Sequence, residues 1–350
     1  MQQRTILSVD YHDENCVVRQ YDGATGKEVV QTVPTRRELL MELVTNSRRA
    51  IGAGGSLIWI QESTSGWARM KSLLSHRVDE FLLANTLTMP KRPKDHRRKT
   101  DRSDTQRILH EYLLGRLGVA DQPLQELREA RRLVSYRENL VSRQTSLKNW
   151  INRYLAHETW EDRNNLWSAK GRKRFQKFLV HQSVSDQLIL QGKLDELDTL
   201  ALRLEKVIEA LQVLYDQWPA AQRLDAIKGI SVVSSVSIVA RIGSIHRFAS
   251  AEHLIGYAGL NPGVRQSDAT RHDGHLGGGG TDKHLRHYLI EASVWARHLP
   301  RYHKTYERVA KRRGKRIGRL QVCRMMLRSI YKMLRDNTDF DPSTDQPKKA

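Results

Sequence analysis

The chain has 350 residues, which at roughly 150 residues per domain corresponds to two or three domains. It carries 59 Lys and Arg residues against 39 Asp and Glu residues, a formal net charge of +20 at pH 7. This excess indicates a polyanionic partner, because cations that bind phosphates release counterions, and it argues against a small-molecule metabolic enzyme. Cys16 and Cys323 are too few for a disulfide framework or a four-cysteine zinc site, so we expect a reducing compartment.

The sequence also argues against a membrane location. Its first residues lack the apolar core of a signal peptide, and the most apolar long stretch, residues 229–245, is too short to span a bilayer. We therefore expect a cytoplasmic protein of a prokaryotic cell without a membrane partner.

The first ninety residues alternate between strand and helix patterns. Apolar runs bounded by turn residues predict the strands, and Thr35 is placed to cap the first helix. The predicted strands cover residues 5–10, 16–21, 28–33, 57–60 and 78–84, and the predicted helices cover residues 35–50 and 66–76. Three strands, a helix, a strand, a helix and a strand is the order of an RNase H-like (RuvC-like) α/β domain, to which we assign residues 1–118.

Helical patterns dominate the rest of the chain. Residues 103–117 and 124–154 are predicted as helices, whereas residues 160–182 are irregular and basic in pattern. The remaining predicted divisions are a helical coiled-coil region at 119–222, an α-rich C-terminal domain at 223–335 and a disordered tail at 336–350.

The second long helix of the coiled-coil region carries apolar residues at alternating steps of four and three, the spacing of a coiled-coil seam. They are Leu190, Leu194, Leu197, Ala201, Leu204, Ile208 and Leu211. The first helix carries a similar series, Leu133, Leu140, Leu147, Ile151 and Tyr154. The pattern fits either an internal helix pair or a contact between subunits, and we expect it to contribute to self-association.

Four carboxylates occupy distinctive places in this element order. Asp10 ends the first strand, Glu62 follows the fourth, and Asp101 and Asp104 lie three apart where a helix begins. The first and fourth strands are neighbours in an RNase H-like sheet, so Asp10 and Glu62 should converge at one sheet end. Clustered hard oxygen ligands hold Mg²⁺, and two ions about 4 Å apart stabilise both the attacking and the leaving oxygens.

We therefore predict a site for two Mg²⁺ ions, in which Mn²⁺ can substitute. The alternative is that each carboxylate is an ordinary surface residue. In that case Asp101 and Asp104 are acidic residues favoured by the dipole at a helix start.

Six different short blocks follow one another along the chain in a distinctive order. They are Ser8-Val9-Asp10, Ile60-Gln61-Glu62-Ser63, Lys99-Thr100-Asp101-Arg102-Ser103-Asp104, Ile227-Lys228-Gly229-Ile230, Tyr257-Ala258-Gly259-Leu260-Asn261-Pro262 and Lys283-His284-Leu285-Arg286. With these blocks, nearly the whole chain resembles the IS110 family of insertion-sequence transposases. That family includes Piv-type DNA invertases and bridge-RNA-guided recombinases, which combine a RuvC-like DEDD domain with a C-terminal domain that supplies a serine.

The resemblance implies roles for individual residues. Asp10, Glu62, Asp101 and Asp104 fall on the family's four metal ligands, and Ser267 falls on its catalytic serine. In the family this serine attacks a DNA phosphate and forms a covalent phosphoserine link. A serine hydroxyl is a poor nucleophile at neutral pH and needs activation by a metal or a base. Without the resemblance, Ser267 would be interpreted as a polar loop residue.

Two of the departures from the family pattern lie next to predicted catalytic residues. Asp268 stands where the family usually has a small residue after the serine. Tyr11-His12-Asp13 replaces a pattern of small residues and Lys after the first aspartate. Neither departure removes a predicted catalytic residue.

Basic residues predict the nucleic-acid contacts, although a solvated surface is the alternative. The predicted contacts are Lys91, Arg92, Lys94, Arg97, Arg98, Lys99, Arg102, Lys283, Arg286, Arg308, Lys311, Arg312, Arg313, Lys315 and Arg316. Four histidines, His272, His275, His284 and His287, have spacings that a zinc site can use. We favour solvated or phosphate-contacting histidines there.

The predicted function is that of a transposase or site-specific DNA recombinase. The expected partners are double-stranded DNA at the element junction and the target, and further copies of the chain in a dimer or tetramer. The resemblance also implies a structured guide RNA from the element. Two alternatives stay open: a metal-dependent RuvC-like endonuclease or junction resolvase without a covalent intermediate, and a non-catalytic nucleic-acid-binding protein.

Overall fold

The computed structural model describes residues 3–52, 54–64, 66–90, 101–157, 166–267, 270–277 and 280–343, and between residues 262 and 276 it describes the backbone. The chain divides into two compact units, Met1–Gln122 and Pro123–Ala350. Among the described helices, none is both long and apolar enough to cross a membrane.

The first unit is built on a mixed five-stranded sheet. Its strands are β1 (Arg4–Tyr11), β2 (Asn15–Asp22), β3 (Glu28–Pro34), β4 (Ser56–Glu62) and β5 (Glu80–Ala84), in the order β3-β2-β1-β4-β5. β1 pairs antiparallel with β2 and parallel with β4, and β4 pairs parallel with β5. The central strands β1 and β4 are buried along almost their whole length, as strands covered on both faces are.

Helices cover both faces of this sheet. α1 (Arg37–Ile51) and α2 (Trp67–Leu74) pack on the face that carries Leu7 and Val9, whereas α3 (Asp101–Leu113) packs on the face that carries Ile6. Because side chains alternate along a strand, Ser8 and Asp10 share the α3 face with Ile6. The predicted α/β class of this part is confirmed, and all five predicted strands lie in the one sheet.

The second unit is mainly helical. Its helices are α4 (Gln125–His157), α5 (Ala169–Leu179), α6 (Val184–Gln217), α7 (Pro219–Asp225), α8 (Val232–Ile242), α9 (Ala251–Tyr257), α10 (Lys283–Ala296), α11 (Pro300–Arg313) and α12 (Lys315–Asp336). Between α9 and α10, strands β6 (Pro262–Ser267) and β7 (Thr270–Leu276) form an antiparallel pair, which the sequence patterns do not predict.

The long helices α4 and α6 pack against each other. Near the start of α6, its leucines form an apolar cluster with α5 and the end of α4. Further along, α6 shares a second core with α4 and the C-terminal helices. The first half of α4 and the second half of α6 therefore share a core with the C-terminal helices.

The buried stripe of α6 differs in part from the predicted seam. Leu190, Leu194, Leu197 and Leu211 are buried as the pattern indicates. Ala201 and Ile208 are exposed, and Leu200 and Val207, one residue earlier in each case, are buried instead. A straight helix drifts by about 20° per heptad relative to a strict seven-residue repeat, so the buried stripe moves to neighbouring positions.

Two local predictions differ from the structure. Thr35 does not cap α1, because the cap position is Arg36 and no side chain caps the helix. The segment predicted as irregular contains α5, which Ser168 caps by accepting from the Gly171 amide at 3.1 Å. Five Lys and Arg residues in α5 conceal an apolar stripe at steps of four, formed by Gly171, Phe175 and Leu179.

The predicted disordered tail is ordered at its start. Residues 337–343 follow α12, and the Phe340 ring lies 6.1 Å from the Tyr302 ring. The Arg301 amide donates to the Pro342 carbonyl oxygen at 3.0 Å. Contacts with a distant helix order these polar residues, and local composition does not reveal such contacts.

Candidate functional site

Two of the predicted metal ligands end neighbouring parallel strands. Asp10 is the penultimate residue of β1, and Glu62 is the last residue of β4. The register pairs Val9 with Gln61, so Asp10 and Glu62 leave the sheet at the same edge. Asp10 is only 5% exposed, and Glu62 accepts a hydrogen bond of 2.8 Å from Thr86 Oγ1. Both carboxylates thus lie at the carboxyl ends of the two central strands, which we call the sheet edge.

Asp101 reaches the same edge from the first residue of α3. His12 Nε2 lies 3.7 Å from Asp101 Oδ1 and 3.4 Å from Asp10 Oδ1. One ligand atom from each of these three residues lies within 4.8 Å of the other two. Together with Glu62 they line a cavity of about 370 Å³. The structure therefore brings three of the four predicted carboxylates to one place.

A hydrogen bond in the sheet–helix interface sets the position of Asp101. Ser8 Oγ donates to the Thr105 carbonyl oxygen at 2.8 Å. Asp10 lies two residues after Ser8 on β1, which is about 6.6 Å along the strand, and Asp101 lies four residues before Thr105 on α3, which is about 6 Å along the helix. Because Ser8 and Thr105 are opposite each other, Asp10 therefore comes opposite Asp101.

Arg19 on β2 makes a second attachment to the start of α3. Its guanidinium donates to the Arg102 carbonyl oxygen at 3.2 Å and pairs with Glu28 on β3 at 2.6 Å. The Arg19 residue is only 9% exposed, so its contacts are shielded from solvent. The first turn of α3 is thus anchored to two strands of the sheet.

Asp104 lies on the next part of the same helix, three residues after Asp101. Its side chain is partly buried. Among the described residues that line the cavity, Asp10, Glu62 and Asp101 are present and Asp104 is not. A role for Asp104 as a metal ligand stays a prediction.

The donor set at this edge fits a divalent cation. Carboxylate oxygens are the ligands that Mg²⁺, Ca²⁺ and Mn²⁺ prefer, and an imidazole nitrogen is a common ligand of transition metals. Carboxylates this close repel one another, and a cation between them offsets that repulsion. Burial raises the pKa of the neighbouring Tyr11 phenol, so that phenol stays neutral at ordinary pH.

His12, which departs from the family pattern, is not among the predicted ligands. Its spacing from Asp10 was a usable signal. Residues two apart on a strand point to the same side, so an Asp-x-His at a strand end directs a carboxylate and an imidazole together.

In the second unit, Ser267 is the last residue of β6. Its backbone pairs with Thr270 of β7. The Ser267 side chain and Asp268 lie outside the described residues, so the catalytic role of Ser267 stays a prediction.

Gly259, shortly before β6, and Gly277, directly after β7, both lie against Arg286 on α10. The Arg286 guanidinium donates to the carbonyl oxygens of Ala258 and Gly259 at 3.4 Å each. Cβ atoms added at Gly259 or Gly277 would meet this guanidinium within 3 Å, and both glycines have positive φ. The guanidinium thus packs against both glycines that flank the hairpin, and the predicted contact of Arg286 with nucleic acid stays a prediction.

The histidines with zinc-like spacing have other partners where they are described. His284 Nδ1 lies 2.8 Å from Glu138 Oε2, and His287 Nε2 lies 3.4 Å from Glu291 Oε1. The side chains of His272 and His275 lie outside the described residues. These contacts favour the interpretation without zinc.

The basic residues predicted at the end of α11 and the start of α12 are exposed on either side of Gly314. We call them the basic corner: Arg308, Lys311, Arg312, Arg313, Lys315 and Arg316. Arg102 and Lys283 are also exposed. Lys91, Arg92, Lys94, Arg97, Arg98 and Lys99 lie outside the described residues. The basic corner offers several cations close together in sequence for contact with phosphates.

Comparisons with known proteins match both units. Residues 7–158 match a family model for the DEDD transposase of IS110 elements, and residues 221–307 match the model of the transposase IS116/IS110/IS902 family. The two matches cover roughly two thirds of the chain.

Three curated proteins are similar in sequence. A 43.6 kDa protein of insertion element IS110 from Streptomyces coelicolor is 27% identical over 39% of this chain and 34% of its own length. The transposase for insertion sequence element IS1111A of Coxiella burnetii is 27% identical over 47% of this chain and 46% of its own. A putative transposase of Sinorhizobium fredii is 25% identical over 68% of this chain and 57% of its own. The chain thus spans about a third to somewhat more than half of the length of these relatives.

Proposed function

Because the chain belongs to the IS110 family of transposases, we propose that it cuts and rejoins double-stranded DNA to move an insertion sequence. The observation that carries this proposal is the gathering of Asp10, Glu62 and Asp101 around one cavity at the edge of the central sheet. The strand order β3-β2-β1-β4-β5, with α3 on the Asp10 face, supports an RNase H-like fold for this unit.

Asp10, Glu62, Asp101 and Asp104 are the residues that would hold the metal, and Mg²⁺ is the cation we propose, with two ions per site. When bound, the ions supply positive charge against the phosphate and the attacking and leaving oxygens. The chain's own contribution is to fix the ligands in place. Thr86 orients Glu62, and the Ser8 bond to α3 sets Asp101 opposite Asp10.

Ser267 is the proposed nucleophile. Its Oγ forms an ester bond to the DNA phosphorus and loses its proton, while the bond from phosphorus to one strand breaks and the departing oxygen takes up a proton. One phosphoester bond replaces another, so the strands can be rejoined without ATP. Ser267 is the last residue of β6, and its backbone pairs with Thr270 of β7.

The proposed partners follow from charge and surface. The basic corner, Arg102 and Lys283 would contact phosphates of double-stranded DNA and of a structured guide RNA. Exposed apolar side chains on α6, Leu188 and Leu202 among them, support a homo-oligomer, a dimer or a tetramer with a coiled-coil contact. The proposed site of action is the cytoplasm of a prokaryotic cell, in association with the nucleoid.

The test is incubation of the full chain with end-labelled element-junction DNA, Mg²⁺ and co-expressed flanking RNA, followed by a denaturing gel. We expect a protein–DNA adduct with wild type and none with Ser267→Ala. Ser250→Ala serves as a matched control, because Ser250 caps the short helix α9. Its adduct should equal that of wild type.

The gel also separates the alternatives. Cleavage without an adduct, equal in wild type and Ser267→Ala, would replace the proposal with a metal-only endonuclease or junction resolvase. Binding to DNA without cleavage at any metal concentration would favour a non-catalytic nucleic-acid-binding protein.

A further inference from the structure

The cavity at the sheet edge contains one nitrogen ligand candidate among its carboxylates. His12 directs its Nε2 atom toward Asp10 and Asp101 at once, at 3.4 and 3.7 Å. Ligand atoms on a single ion with bonds of about 2.1 Å lie roughly 3–3.5 Å apart at the usual bond angles. These two separations are close to that range, and the ligand atoms of Asp10 and Asp101 lie within 4.8 Å of each other, so small side-chain adjustments would let all three atoms bind one ion.

The backbone of His12 is held in place by a contact outside the cavity. His12 follows the end of β1, and its carbonyl oxygen accepts a hydrogen bond of 2.7 Å from Thr35 Oγ1. The Thr35 amide in turn donates to the Glu14 carbonyl oxygen at 2.8 Å. The turn between β1 and β2 is therefore tied to the start of the segment that leads into α1. This attachment fixes the backbone from which the imidazole projects.

An imidazole changes which metals a site prefers. Sites made of carboxylates and water suit Mg²⁺, Ca²⁺ and Mn²⁺, whereas an imidazole nitrogen raises affinity for first-row transition metals. Mg²⁺ gains little from such a ligand, because it prefers oxygen and keeps several of its waters.

We propose that His12 is a direct ligand of the metal bound by Asp10 and Asp101, and that it raises the affinity of this site for Mn²⁺ while leaving its affinity for Mg²⁺ nearly unchanged. The inference rests on the proposed function only in taking this cavity as the metal site. It adds a ligand outside the four carboxylates and a metal preference to that site.

The experiment measures metal binding to the full chain without DNA. Mn²⁺ binding is followed by electron paramagnetic resonance, with Mg²⁺ as competitor, for wild type, His12→Ala and the exposed-histidine control His76→Ala. We expect His12→Ala to weaken Mn²⁺ binding by about tenfold or more, with Mg²⁺ binding changed less than about threefold. His76→Ala should behave as wild type. Electron-spin-echo spectra of the bound Mn²⁺ should show ¹⁴N coupling in wild type that His12→Ala removes.

Unchanged Mn²⁺ affinity in His12→Ala, or the absence of ¹⁴N coupling in wild type, would overturn the proposal and leave His12 as an ion-pair partner of the two aspartates. Asp10→Asn distinguishes this failure from failure of the metal site itself. Loss of Mn²⁺ binding in Asp10→Asn but not in His12→Ala refutes only the role of His12. Unchanged binding in both variants would refute the site and the metal-dependent part of the proposed function.

Discussion

The two units hold their candidate catalytic residues in different ways. In the first, Asp10, Glu62 and Asp101 lie on two strands and a helix that are fixed by register and by buried hydrogen bonds. In the second, Ser267 ends a strand of a short hairpin whose base is held by Arg286 between two glycines. A rigid edge suits ligands that must hold a cation at fixed distances. The proposed nucleophile must instead come in line with a phosphate of a large substrate.

The largest expected effect is on the reactivity of the two cysteines, one of which is buried in each unit. Burial raises the pKa of Cys323 to about 12 and also raises the pKa of Cys16. At pH 8 an ordinary thiol with a pKa of about 8.5 is roughly one quarter thiolate. We therefore expect Cys323 in the folded chain to react with a disulfide reagent more than about 1000-fold more slowly than in the unfolded chain.

Labelling in increasing urea then reports on each unit separately. Cys323→Ser leaves only the thiol of the first unit, and Cys16→Ser leaves only that of the second. Rapid labelling of either variant without urea would contradict the burial of that thiol.

The raised pKa of Cys323 also makes stability depend on pH. Because the Cys323 thiol keeps its proton in the folded chain and releases it in the unfolded chain, the free energy of unfolding should fall as the pH rises from about 8.5 toward 12.

Glu62→Gln tests the rigid edge. Removal of an outer partner of a metal ligand costs about 10–100-fold in affinity or activity, so loss of a direct ligand should lower DNA cleavage by more than about 100-fold. Glu38→Gln, an isosteric change on the exposed side of α1, should leave cleavage unaltered. Cleavage by Glu62→Gln at the rate of Glu38→Gln would remove Glu62 from the site.

A pair of glycine substitutions tests the packing of the second unit. Gly229 has a φ of +99°, and a Cβ atom there would lie 2.5 Å from the Ala292 carbonyl oxygen. Gly229→Ala should therefore lower the free energy of unfolding by about 2–4 kcal/mol. Gly192 lies exposed on α6 with open space around it, and Gly192→Ala should raise stability by about 0.5–1 kcal/mol. Urea unfolding measures both, and equal signs would contradict the packing described.

Ser8→Ala should have a small effect on stability and still affect the metal site. Loss of the bond to the Thr105 carbonyl oxygen should cost about 1 kcal/mol in urea unfolding. Because that bond sets Asp101 opposite Asp10, Mn²⁺ affinity should also fall by about tenfold. Ser75→Ala, on an exposed turn, should change neither quantity.

Sequence patterns predicted the first unit better than the second for physical reasons. Buried strands give short apolar runs, and their order alone placed Asp10 and Glu62 at one sheet edge. The helix α5 was missed because its cations outnumber its buried residues, and β6 and β7 were missed because a polar, glycine-rich segment has no apolar alternation.

The Thr35 error arose from a long-range contact. Thr35 bonds to the His12 carbonyl oxygen instead of capping α1. That partner lies more than twenty residues away in the chain. Local sequence does not reveal which of two available hydrogen-bonding partners a side chain will take.

We propose that the metal site of one unit and the serine of the other act in one reaction, and the yield of the Ser267–DNA adduct in Asp10→Asn tests this most directly. Asp10→Asn should reduce the adduct by more than about 100-fold while junction DNA still binds. An adduct formed by Asp10→Asn at the wild-type rate would show that the serine acts without the metal site, and would contradict the proposal.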